Sequence, residues 1–225
     1  MGECIFALFT PEGDSIAFST GLLLHIASIG SSIKWMLKND YEEKVGIEWG
    51  DHFFNNDPYI GGAHSADQAT VTPIIVDGRF VGWAAALTHC MEIGACEPGG
   101  IPVSSQTRFE EGIFWPCLKI AENDRLKHDI EMMVERGTRV PMWWALDTRA
   151  RMAGCLMIRD GMTEIIKEVG VDYYMDVIYE FIESSRRVCV DRIEERCFPG
   201  RYQMTNFMDL PLSTQNVRFK IDYLN

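Results

Sequence analysis

Two apolar, β-branched runs, residues 70–76 and 79–88, meet at Asp77-Gly78. Asp-Gly between such runs is a strong hairpin signal, because both residues tolerate the positive φ that the tight turn demands. The hairpin constrains more than itself. One His-x-x-acid pair, His64 and Asp67, stands just before its first strand, and a second, His89 and Glu92, just after its second. The two feet of an antiparallel hairpin are adjacent in space. The pairs therefore converge by local geometry, and they offer the imidazole nitrogens and carboxylate oxygens that first-row divalent metals take. The plainer reading has His64 and Asp67 sharing a loop-capping hydrogen bond, with His89 ending a strand in the core.

Around that hairpin the chain reads as α+β, with strands first, then helices, then a return to strands. Cys4–Phe9 and residues 15–19 form an opening hairpin about the turn at Pro11-Glu12-Gly13-Asp14. Ile26, Ile29, Ile33 and Leu37 recur at helical spacing and predict a helix over 26–38. Residues 49–62 and 94–112 are rich in Gly, Asn and Pro and read as loops. Helices are expected at 123–136, as one or two pieces within 142–167, and as an amphipathic helix over 172–197 carrying Tyr174, Val177, Ile178, Phe181 and Ile182 on one face. Pro199-Gly200 stops it, and strands follow at 201–209 and at the end. This gives a β-rich metal-site region at 1–120, a helical region at 121–198 and the start of a further β segment at 199–225, joined as one continuous domain.

Composition narrows the partners. The 225 residues carry a formal charge of −12 with no run of Lys or Arg, which argues against nucleic acid and anionic membrane surfaces. The seven cysteines are irregularly spaced without a CxxC pair, as in a cytoplasmic protein with reduced, mostly buried thiols. Met-Gly-Glu-Cys at the N-terminus lacks the pattern of a signal peptide, and the apolar run at 21–27 is too short to span a bilayer. No GxxxxGK[ST], Gly-x-Gly-x-x-Gly or GxSxG motif is present, so any ATP is expected to bind elsewhere.

Other candidates carry plainer readings. His25 follows Leu22-Leu23-Leu24 and reads as a core histidine, His52 lies in a polar loop beside Asp51, and His128 sits on a charged helix. Trp115, Trp143 and Trp144 suit either a pocket for an organic substrate or the core. The charges from Arg186 and Arg187 to Arg196 read as a solvated helix face.

The pattern Asn56-Asp57-Pro58-Tyr59-x-Gly61-Gly62-x-His64-x-x-Asp67, then Val71-Thr72-Pro73-Ile74-x-Val76-Asp77-Gly78-x-x-Val81-Gly82, then His89-x-x-Glu92-Ile93-Gly94, resembles the hydantoinase B/oxoprolinase family. Gly94-Ala95-Cys96-Glu97-Pro98-Gly99-Gly100 and Glu92, where other members tend to carry Asp, resemble its ketone-carboxylase branch. Arg139-x-Pro141 with Asp147-x-Arg149-Ala150, and Gly200-x-Tyr202, extend the likeness across nearly all of the chain. The chain is short for this family, as expected of a fragment or one piece of a split subunit.

The resemblance implies a manganese ion held by His64, Asp67 and His89, a ligand set that zinc and iron also accept. It implies a Lewis acid that holds an enolate or enol phosphate for attack on CO2. Glu92 is then expected to orient an imidazole or add a ligand, and His25 to transfer a proton or make a polar contact. ATP would be used on a hydantoinase A-like partner subunit, with a small third subunit in the assembly and a ketone and bicarbonate as substrates. The alternatives are ATP-dependent hydrolysis of a cyclic amide of the hydantoinase or 5-oxoprolinase type, and a non-catalytic scaffold fragment.

Overall fold

The computed structural model describes residues 4–208 and 217–223. Two compact units divide the chain, Met1–Tyr179 and Glu180–Asn225. In the first unit, strands β1 (Cys4–Phe9), β2 (Ser15–Phe18), β3 (His52–Asn55), β4 (Asp67–Val76), β5 (Arg79–His89), β6 (Leu118–Glu122) and β7 (Arg125–Leu126) form one sheet in the order β2-β1-β5-β4-β3-β6-β7. Every neighbouring pair is antiparallel. The Asp-Gly turn forms as expected, with φ of +50° at Asp77 and +77° at Gly78.

Helix α1 (Leu23–Lys38) covers one face. Its Ile26, Ile29, Ile33 and Met36, three to four residues apart, pack with Ile5, Phe9, Phe53, Val71, Trp83 and Leu87. A short helix, α2 (Tyr41–Lys44), follows it, and α3 (His128–Gly137) lies beyond β7. The other face is covered by α4 (Pro141–Val169), which brings Cys155 and Ile166 against Ile74, Val76, Val81, Ala84 and Ala86. With both faces covered, β4 and β5 are buried at nearly every position and show no polar alternation, which is unusual for an antiparallel sheet. Full burial of each large apolar side chain contributes about 1.5–3 kcal/mol.

Three expectations change in detail. The segment read as a loop over 49–62 contains β3, the strand that joins the hairpin to β6; His52 lies in it, fully buried, rather than in a polar loop. The helix expected at 123–136 starts later, because Asn123 and Asp124 take φ of +49° and +59° to turn β6 into β7. The expectation of one or two helices over 142–167 resolves to one, α4. It opens on Pro141, whose fixed φ suits a first helical residue, and ends at Gly170 with φ +91°. Helix α5 (Val171–Arg196) starts at once. It buries Tyr174 and Ile178, whereas Val177 and Phe181 of the expected apolar face are 44% and 55% exposed.

In the second unit Arg186 and Arg187 pair with Glu183 and Glu180 along the solvated end of α5, and β8 (Tyr202–Met208) and β9 (Val217–Tyr223) form a two-stranded antiparallel ribbon. The far end of the strand expected at 201–209 lies outside the described residues. All seven cysteines are free; Cys90, Cys117 and Cys155 are buried, whereas Cys96, Cys189 and Cys197 are exposed. Among the described residues, no helix is long and apolar enough to cross a membrane.

Candidate metal centre

The strands of the central hairpin run further than their apolar stretches, so two of the expected ligands are strand ends. Asp67 opens β4, His89 closes β5, and the two are direct partners in the ladder. Directly opposed residues project to the same face of a sheet. His89 Nδ1 thus lies 3.2 Å from Asp67 Oδ1. His64 reaches the same carboxylate from the preceding loop, with Nδ1 3.5 Å from Asp67 Oδ2, and its ring stands edge-on to that of His89 at 4.8 Å between centroids. One ligand atom from each of His64, Asp67 and His89 falls within 4.8 Å of the others.

Burial grades across this triangle. The Asp67 side chain is 1% exposed, against 27% for His89 and 37% for His64. Asp67 Oδ2 and His64 Nδ1 are buried atoms without a hydrogen-bond partner. An unsatisfied buried carboxylate oxygen is costly, and a cation between it and the imidazoles removes that cost. The donor set and its unsatisfied atoms therefore fit a divalent metal.

The surrounding loops are fixed by the conspicuous sequence motif. Asn56 donates from Nδ2 to the Ser65 and Ile113 carbonyls, at 2.9 and 2.8 Å, and accepts from Trp115 N at 2.8 Å. It thereby ties the His64 loop to the segment before β6. Asp57 caps the 3-10 turn Pro58–Ile60, accepting from Tyr59 N at 3.0 Å, while its other oxygen lies 3.4 Å from Arg108. Gly61 takes φ +136°, and a side chain there would also sit 2.6 Å from the Ser28 carbonyl of α1, so both backbone and space require glycine. These residues build the loop, and His64 alone of the motif before Asp67 reaches the carboxylate.

Glu92 sits elsewhere than beside an imidazole. Its carboxylate accepts from Gly94 N at 2.8 Å, from Arg139 N at 2.5 Å and from Arg139 Nη1 at 2.6 Å. It locks the turn after His89 to the entry of α4. His25, in the first turn of α1, is 3% exposed and carries its Nδ1 3.7 Å from Asp67 Oδ2. His128 is exposed at the start of α3. Trp115 and Trp144 pack with Phe54 in the core, and Trp143 is 46% exposed.

Two contributors were missed in the sequence. Gly100 lies against the site, where an added Cβ would stand 3.5 Å from His89 Nε2 and 2.8 Å from the Cys90 carbonyl. Arg151 of α4, fully buried, donates to the hydroxyls of Thr70, Thr88 and Thr148 at 3.1, 2.6 and 2.8 Å. It pins the feet of the hairpin from behind, and burial pulls its pKa down to about 10, so it stays cationic at neutral pH. The Gly-Gly run offered a signal for the first. The second sits on the buried face of α4 with Thr148, Cys155 and Arg159, where an Arg among apolar residues was the signal.

A His-Asp-His triangle on the feet of a hairpin, in an antiparallel sheet covered on both faces, makes a domain with a candidate metal site. The chain belongs to the Hydantoinase B/oxoprolinase family, whose pattern matches residues 1–223. It is 36% identical over 222 residues to the acetone carboxylase alpha subunit of Xanthobacter autotrophicus, covering 99% of this chain and 29% of that protein. It is 36% identical over 210 residues to the acetophenone carboxylase delta subunit of Aromatoleum aromaticum, covering 92% of this chain and 30% of the relative. The nucleotide-free structure of acetone carboxylase superposes on 93% of this chain and 27% of its own, with a TM-score of 0.89 at 36% identity. The chain thus spans about three tenths of the length of these curated relatives.

Proposed function

We propose that this chain is the metal-binding region of an ATP-dependent ketone carboxylase of the acetone or acetophenone type. The observation that carries the reading is the convergence of His64, Asp67 and His89 on the hairpin feet, in a chain 36% identical to subunits of two such enzymes. These three residues would hold Mn2+, and zinc or iron suits the same donors. When bound, the metal supplies Lewis acidity, polarising a substrate oxygen and stabilising the negative charge that builds there.

The protein's own residues set the rest. Asp67, buried and opposite His89, anchors the centre. The half-exposed imidazole of His64 marks the side from which a small ketone-derived substrate approaches. Glu92 and Arg139 hold the turn behind His89, so Glu92 acts on the imidazole through the backbone it fixes. Arg151 holds the strand ends at one spacing, which keeps the ligand triangle in register. ATP would be consumed on a hydantoinase A-like partner subunit, where ketone and bicarbonate are activated, with a small third subunit completing the assembly. The lack of a phosphate-binding loop motif in this sequence accords with that division.

The test is metal content by elemental analysis on protein purified without chelator, followed by carboxylation assays with the partner subunits. About one manganese per chain, absent from His64→Ala, together with ATP-dependent fixation of bicarbonate into a ketone, supports the proposal. ATP-dependent opening of a cyclic amide without need for CO2 transfers it to the hydantoinase type. Folded protein with no metal leaves the scaffold reading.

A further inference from the structure

Helix α1 is more than a cover for the sheet. Its face toward the His64 loop carries small residues. Gly61 rests against Ser28 and Ser31, Asn55 Nδ2 donates to Ser32 Oγ at 2.9 Å, and Cys117 Sγ lies 3.7 Å from the Ser32 carbonyl. Ser28 and Ser32 turn their hydroxyls back onto the His25 and Ser28 carbonyls, at 2.8 and 3.0 Å, leaving a smooth wall that lets the loop approach. At the top of this wall His25 points inward. Three imidazoles therefore surround one carboxylate, His89 on Oδ1 and His64 and His25 on Oδ2, at 3.2, 3.5 and 3.7 Å.

The three differ in reach. His64 and His89 share a small triangle with Asp67, and His25 is not part of it, although its Nδ1 lies 3.7 Å from Oδ2. It is also 39 residues before His64, on another element. A group behind a ligating carboxylate orients it, and such supports typically change metal affinity 10–100-fold.

We propose that His25 is a positioning residue of this centre: from α1 it holds the Oδ2 edge of Asp67, so that cation binding and docking of the first turns of α1 are thermodynamically linked. The inference rests on the metal reading above. A cation held between Asp67, His64 and His89 fixes the orientation of the carboxylate, so that Oδ2 presents one defined position to the His25 ring on α1. Linkage is reciprocal, so what steadies α1 also tightens the cation.

The experiment titrates Mn2+ into wild type, His25→Leu, His25→Asn and His25→Gln, with hydrogen exchange of peptides covering residues 22–33. In wild type, Mn2+ slows exchange at the hairpin feet and over 22–33. His25→Leu binds Mn2+ 10–100-fold more weakly and, once saturated, protects the feet but not 22–33. His25→Asn, whose amide nitrogen stands where Nδ1 stands, recovers most of the affinity, and His25→Gln, whose amide lies at the Nε2 position, does not. Wild-type affinity and protection in His25→Leu overturn the inference alone, as does equal recovery by Asn and Gln. Wild type that takes up neither Mn2+ nor Zn2+ overturns the metal reading and this inference together.

Discussion

Glu92 and Arg139, 47 residues apart, close a clasp beyond His89 of the candidate metal site: Arg139 gives both its backbone N–H and its Nη1 to the Glu92 carboxylate and its Nη2 to the Ala95 carbonyl at 2.8 Å. The Glu92 side chain is 6% exposed and that of Arg139 43%, so the bond is charge-assisted on a buried acceptor with a half-open donor. Its job is to fix where the chain goes after His89.

Glu92→Gln removes the charge and one acceptor from that clasp. A loss of roughly 2 kcal/mol in stability is expected, the size of a hydrogen bond to a charged group. Metal stoichiometry should stay near that of wild type, because no Glu92 oxygen belongs to the triangle. Denaturant melts and elemental analysis of the same preparation check both halves.

Gly100→Ala tests how closely the overlying loop meets His89. The new methyl would stand 2.8 Å from the Cys90 carbonyl and 3.0 Å from the Ala66 Cβ, so backbone must move. Overpacking of this kind costs about 1–3 kcal/mol. Because the displaced residues flank Asp67 and His89, metal affinity should fall with stability, read by metal titration beside a thermal melt.

Arg151→Lys should be worse than its conservative name suggests. The guanidinium reaches three threonine hydroxyls from one plane and lies 5.4 Å from the centre of the Phe54 ring. A lysine cannot span that fork and leaves a buried ammonium poorly satisfied. A cost of about 3 kcal/mol or more is expected, with Arg151→Met milder because it removes the buried charge altogether. Urea melts of the two variants side by side give the order.

Acid should destabilise the metal-free protein through His52. Burial pushes its pKa below 6.5, and Asp124, 3.1 Å from Nε2, pulls back only in part. Below pH 6.5 the unfolded chain takes up a proton that the folded chain resists, so stability present above 6.5 is lost as pH falls toward the folded pKa. Asp124 adds a loss of the same sign in a lower window, below 3.8: burial pushes its carboxyl up, and the hydrogen bonds from Arg159 and His52 outweigh this and hold it down. Melts in chelator from pH 7 to about 5 should show a falling Tm, with a flatter slope for His52→Gln.

The sequence by itself determined the hairpin and its feet. Asp77-Gly78 sets the turn with Val76 opposite Arg79, and a register shift between Ile74 and Ile75, one residue long, then places Asp67 opposite His89. All of that is local, and so are the helices, which follow their apolar spacing. What lay between was harder to read. The four residues of β3 are too few to show a period, and Asn123-Asp124 makes a tight turn that an acidic helix start resembles. Only the tertiary structure decided which distant residues support the hairpin feet and the turn after them. His25 comes from a helix 39 residues before His64, Arg139 from 47 residues beyond Glu92, and Arg151 from 81 residues beyond Thr70. Contacts over such separations form only when α1 and α4 close on opposite faces of the sheet, and no spacing within the chain encodes which side chains then meet.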